Sequence, residues 1–124
     1  MQFNEYQLKA LDTAQYPSIK VTDTTGPQGF IVNRLASWVY PAMGLAGETG
    51  EVLEKLKKII RDKHGVYDQS DVEGLTKELG DCLWYISVIA NEFGIKLEDV
   101  AKTNIDKLAS RKERNMISGN GDNR

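Results

Sequence analysis

With 124 residues, 40% hydrophobic and 27% charged, the chain carries enough apolar material for one domain and too much to stay disordered. A net charge of −2 provides no basic field for duplex nucleic acid. Cys82 is the only cysteine and His64 the only histidine, so an intrachain disulfide is excluded and a zinc site unsupported. The start MQFNEYQ lacks a signal-peptide pattern, and no apolar run approaches the ~20 residues of a membrane span, so no membrane association and a cytosolic protein are expected.

The first helix is predicted from Asn4, a capping residue followed three positions later by Gln7 and bracketed by Phe3 and Leu8 as a hydrophobic staple. It should end near Tyr16-Pro17. From Pro17 to Asn33, a mixture of Pro, Gly and Thr with a β-prone fragment reads as a long loop, a kind that often carries function. A second helix is expected from Arg34 to Lys63, with Pro41 as a point of interruption and Gly65 as the exit. The third starts at the capping box Ser70-Asp71-Val72-Glu73 and stops at Gly94. The fourth runs from Leu97 to Arg114, and the tail ISGNGDNR is too rich in Gly and Asn to extend it. An all-α bundle of four to five helices follows, as a single domain over residues 1–124.

Helices two and three each carry an acidic pair at i,i+3 spacing, Glu48-x-x-Glu51 and Glu78-x-x-Asp81. At roughly 100° per residue the members of each pair sit about 60° apart on one face. Any one such pair is usually solvated surface. Here both pairs border an apolar arc in the same way: Leu45, Val52, Leu53, Leu56, Ile59 and Ile60 on helix two, and Val72, Leu75, Leu79, Cys82, Leu83, Ile86, Ile89, Ala90 and Phe93 on helix three. Four converging carboxylates repel one another and need a cation, and magnesium is the usual ion where phosphates complete the shell. Phosphate-ester chemistry on a helical scaffold is therefore expected.

Other side chains are candidates for the substrate side. Asn104 and Arg111 fall within or at the edge of the apolar arc of helix four, with Lys107 about 60° away. Each can snorkel or bond to nearby backbone. Beside a metal site, Lys107 and Arg111 would instead hold phosphate oxygens, and Asn104 would orient a sugar or a water. Lys55 and Lys58 either pair along the surface of helix two or reach the outer phosphates. Tyr85, one turn beyond Asp81, flanks a substrate or packs. Trp38 and Tyr40 stack a base or join the core. Gly44, Gly47 and Gly50 recur every third residue, first for close approach of helices and second for a ligand. Trp84 and Val88 lie on a second side of helix three, which suits self-association, with nucleobase contact a further use for Trp84.

At these residues the chain resembles the MazG-like family of all-α nucleoside triphosphate pyrophosphohydrolases. The resemblance runs through FNEYQ, Ala14 and Tyr16-Pro17, YPAMGLAGETGEVLEKLKKIIRDK, KELGDCLWYI, GIKLEDVAKTNIDKLASRKERN and the terminal GNGDNR. It implies that Glu48, Glu51, Glu78 and Asp81 are magnesium ligands, with manganese able to stand in. It also implies that Asn104, Lys107 and Arg111 form the substrate side on helix four, and that copies assemble as dimers or tetramers. The implied reaction is hydrolysis of a nucleoside or deoxynucleoside triphosphate to the monophosphate and pyrophosphate, by attack of a water at the α-phosphorus with Glu48 or Glu51 orienting it. The stretch from Ser18 to Ser37 matches no part of the family pattern, so no base preference follows. Related folds support dUTPase and phosphoribosyl-ATP pyrophosphohydrolase activities. Outside enzymes, the same carboxylates could fix a metal-stabilised helical interaction module.

Overall fold

The computed structural model describes residues 1–17, 19–23 and 32–121, with backbone alone for the segments 19–23 and 32–36. The element order is α1 (Phe3–Leu11), β1 (Ile19–Asp23), β2 (Val32–Ala36), α2 (Val39–Lys63), α3 (Gln69–Glu92) and α4 (Leu97–Glu113). The helical class stands, with four helices among the described residues. Part of the expected loop forms an antiparallel pair of strands, running from Ile19 opposite Ala36 to Asp23 opposite Val32. Residues 18 and 24–31 of that loop lie outside the described residues, as do the last three residues of the GNGDNR tail.

The second and third helices form the frame. They pack on each other as an antiparallel hairpin, α2 spanning about 38 Å at 1.5 Å per residue. The expected start at Arg34 is corrected, because that residue belongs to β2 and the helix begins at Val39. Pro41 does not interrupt it. A proline in the first turn gives up only an N–H that has no intrahelical partner, and its ring is fully buried. The exit uses His64 and Gly65 in the left-handed region, with the Gly65 N–H donating to the Ile59 carbonyl at 3.1 Å. The capping box of α3 sits two residues before the expected one: Asp68 accepts from the Asp71 N–H at 3.1 Å, and Asp71 accepts from the Asp68 N–H at 2.9 Å. Lys63 donates to both aspartates, at 2.9 and 2.6 Å, and ties the end of α2 to the start of α3. Gly94, with φ +66°, lets the chain leave α3 where expected.

The first helix is shorter than expected and starts earlier, with Gln2 as its N-cap. Asn4 and Gln7 do not cap their own helix. The Gln7 amide is buried; it accepts from the Leu97 N–H at 2.9 Å and donates to the Ile95 carbonyl at 2.9 Å. Asn4 accepts from the Glu98 N–H at 3.3 Å. Two side chains of α1 thus satisfy the open N–H groups at the start of α4, the need a capping residue serves, from another part of the chain.

Trp84 and Val88 receive a different role from the one their periodicity suggested. Val88 is fully buried, and the Trp84 indole N–H donates to the Ala10 carbonyl at 3.2 Å and the Thr13 hydroxyl at 2.9 Å. The Trp84 ring, half-buried, is thereby tied to the end of α1 in the same chain. A carboxylate holds the other end of α3: Glu92 accepts from both the Tyr16 and Ser37 hydroxyls, which stand on either side of the β excursion. The Tyr16 ring stacks on Tyr40 with centroids 5.9 Å apart, and burial followed by the Glu92 bond pushes the Tyr16 phenol up to about 12.

Candidate functional site

Because α2 and α3 run antiparallel in this register, the two acidic pairs meet across the hairpin. Carboxylate oxygens of Glu48, Glu78 and Asp81 all lie within 4.8 Å of one another. Glu48 and Glu78 are half-buried and Asp81 is exposed. Glu51 is exposed and stands outside this set, although its charge is felt at Glu48. Burial first, and then the charges of Asp81, Glu78 and Glu51, raise Glu48 above the ordinary carboxylate range. Three oxygen donors of like charge, incompletely buried, form a donor set suited to a hard divalent cation.

Aromatic side chains form the wall beside these carboxylates. Glu48, Asp81, Trp84 and Tyr85 line one open depression. Tyr85 lies across the backbone of α2 at Gly44, where a Cβ would come within 2.2 Å of its ring. Gly44 is therefore a close-approach glycine, as expected, whereas a Cβ at Gly47 or Gly50 would meet nothing within 4 Å. The Tyr85 ring meets Trp84 edge to face, at 4.9 Å and 89°. Burial, followed by Tyr40, Glu48 and Asp81, raises its phenol.

Sequence reasoning missed Tyr6. This α1 phenol is raised first by burial and then by the charge of Asp81, so it stands within reach of that carboxylate's field. Its signal in the sequence was slight, a single tyrosine on the first helix.

The lysines of α2 divide. Lys55 crosses to α3 and places its ammonium 3.4 Å from Glu78. Lys58 pairs with Glu54 at 3.3 Å on the outer side of α2, in the surface pairing considered for it. Trp38 is also apart from the acidic cluster: its ring meets Phe93 at 6.2 Å, just beyond the end of α3 at Glu92 and roughly 18 Å along the helix direction from Asp81. Asn104 and Lys107 line a different depression, with Ile95, Asp99, Val100 and Thr103. Arg111 is buried and donates to the Gly121 carbonyl at 3.0 Å. Within one chain, then, the structure joins Glu48, Glu78, Asp81, Lys55 and Tyr85 and does not join Trp38, Lys58, Asn104, Lys107 or Arg111 to them.

A helical hairpin that brings three carboxylates together across its seam defines a class, that of helical proteins with an acidic cluster between two packed helices. The chain belongs to the MazG nucleotide pyrophosphohydrolase domain family, with residues 42–116 matching that domain. The matched span contains α3, α4 and all but the first residues of α2, and with them all four acidic residues. The chain is also 42% identical over 124 residues to the "Gene 37 protein" of Mycobacterium phage L5, a match that covers the whole of both chains. No solved structure gives a significant match. Among the described residues no helix is long and apolar enough to cross a membrane.

The raised position of Glu48 gives a pH dependence of definite sign. A carboxyl raised on folding contributes stability that is fully present below its unfolded value and is lost as pH rises through its folded value. In EDTA, the wild-type melting temperature should therefore fall relative to Glu48→Gln as pH climbs from the ordinary glutamate range through the raised value. A divalent cation at pH 7 should restore the wild type more than the variant. A difference between the two proteins that stays flat with pH in EDTA would show that Glu48 carries no such strain.

Proposed function

We propose that the chain, acting as one domain over residues 1–124, hydrolyses a nucleoside or deoxynucleoside triphosphate to the monophosphate and pyrophosphate, with water attacking the α-phosphorus. The observation that carries this reading is the set of Glu48, Glu78 and Asp81 oxygens within 4.8 Å of one another in a chain of this family. These three residues would hold magnesium, for which manganese can substitute. When bound, the cation supplies positive charge that offsets the carboxylates and the triphosphate oxygens.

The remaining roles fall to the chain's own side chains. Glu51 stands at the exposed rim, outside the three-oxygen set, and is the carboxylate left to orient the water and accept its proton. Tyr85 and Trp84 wall the depression and would flank the sugar or base, the Tyr85 ring having its room because Gly44 carries no side chain. Lys55 would meet the outer phosphates from the Glu78 side.

We also propose that the working form is a homodimer or homotetramer. Ala10, Val88, Ala90 and Leu97 are the buried hydrophobic residues among those described, a small core for a chain of this size. Meanwhile Leu53, Leu56 and Ile60 on α2 and Val72, Leu79 and Ile86 on α3 remain exposed, and a groove between the helices runs past Leu56, Val72 and Leu79. A second copy of this apolar hairpin is the partner best matched to it. Asn104, Lys107 and Arg111 would contribute to a substrate site through such an assembly, since in the single chain Asn104 and Lys107 line a separate depression and Arg111 bonds to the Gly121 carbonyl.

Incubation with each triphosphate and magnesium should release monophosphate and pyrophosphate in equal amounts. Asp81→Asn should lower kcat/KM by roughly a hundredfold or more, about 3 kcal/mol of lost stabilisation, while the protein stays folded. Diphosphate with orthophosphate would move the cut to the outer bond, and no turnover of any triphosphate would leave the interaction-module reading. For the assembly, light scattering should report a dimer or tetramer at micromolar concentration, and Ile60→Glu should shift it toward monomer. A wild-type monomer there would exclude the oligomer.

A further inference from the structure

We infer that Lys55 is an internal counter-ion of the cation site: it holds Glu78 until a divalent cation takes its place, and thereby sets the affinity for that cation. This rests on the proposal that Glu48, Glu78 and Asp81 form the site. Two separate contacts place Lys55 there. Its ammonium stands 3.4 Å from one oxygen of Glu78, and Glu78 is also a member of the three-oxygen set. Its stem passes over α3 at Gly74, where a Cβ would sit in ordinary contact, at 3.5 Å from Nζ and 3.8 Å from Cδ and Cε. The lysine therefore leaves its own helix, crosses the hairpin and ends on a proposed ligand. Its neighbours Lys57 and Lys58 instead pair with Glu54 on α2.

Charge gives the consequence. With the site empty, one ammonium offsets part of the repulsion among the gathered carboxylates. A divalent ion must compete with it for Glu78 and then endure a like charge close by. Removing the ammonium should therefore strengthen cation binding, the reverse of what loss of a ligand or of a scaffold contact does.

Titrating Mn2+ into the full chain at low ionic strength, with free ion read by electron paramagnetic resonance, tests this directly. Lys55→Met should tighten the Kd by about three- to tenfold, and Lys55→Arg, which keeps the charge, should remain near wild type. Lys55→Gln is the substitute where the methionine variant does not fold. An unchanged or weaker Kd on neutralising Lys55 overturns the counter-ion role. Asp81→Asn in the same titration separates the two readings. If it weakens binding while neutralising Lys55 changes nothing, the counter-ion role alone falls. If Asp81→Asn binds as the wild type does, the ion lies elsewhere and both readings fall.

Discussion

Like charges can be gathered between α2 and α3 because the register of that hairpin is fixed along its length. Lys63 bridges Asp68 and Asp71 at the connection, Lys55 reaches Glu78 midway, and Tyr85 lies on Gly44 beyond the carboxylates. Carboxylate pairs at such separations repel by roughly 1 kcal/mol in water and about 4 at an effective dielectric of 20. The exposed position of Asp81 keeps its share near the lower figure. A slip of one residue in either helix would rotate its acidic pair by about 100° and disperse the cluster. The site is thus a property of the packing, and the packing tolerates it at modest cost because water reaches one side.

The other helices make that register last. Helix α1 is joined to its neighbours chiefly by polar bonds to backbone, with Gln7 bridging Ile95 and Leu97 and Trp84 donating to Ala10. Buried bonds of this kind are directional and cannot slide as an apolar seam can. Glu92 does the same at the far end, holding Tyr16 and Ser37 and so fixing both feet of the β excursion. The apolar face of α2 and α3 is left uncovered by this arrangement. The geometry of the site is therefore set within one chain, while the large apolar stripe faces outward.

Much of this was legible in the sequence because helical periodicity is local. The i,i+3 acidic pairs, the stop at Gly94 and the extent of α4 follow from spacing and terminal residues alone. What was not legible depended on partners distant in sequence. Asn4 and Gln7 form a proper capping pattern, yet the donors they satisfy belong to α4. Trp84 looks unpartnered on a helical wheel until the Ala10 carbonyl of α1 meets its indole, and Val88, off the main arc, is nonetheless fully buried. Asp68 displaced Ser70 as the cap of α3, where Lys63 adds its charge to the box. Arg111 lies on the apolar arc as expected, but its guanidinium turns to the Gly121 carbonyl. The strands were hidden because Pro, Gly and Thr around a short β-prone run describe a loop and a two-stranded ribbon equally well.

The central claim is that Glu48, Glu78 and Asp81 together bind one divalent cation. Crystals grown with Mn2+ and measured for anomalous scattering decide it most directly. An anomalous peak among these three carboxylates, with Lys55 moved off Glu78, is the expected result. A peak at another position, or none there with Lys55 still paired to Glu78 at saturating Mn2+, would contradict the account.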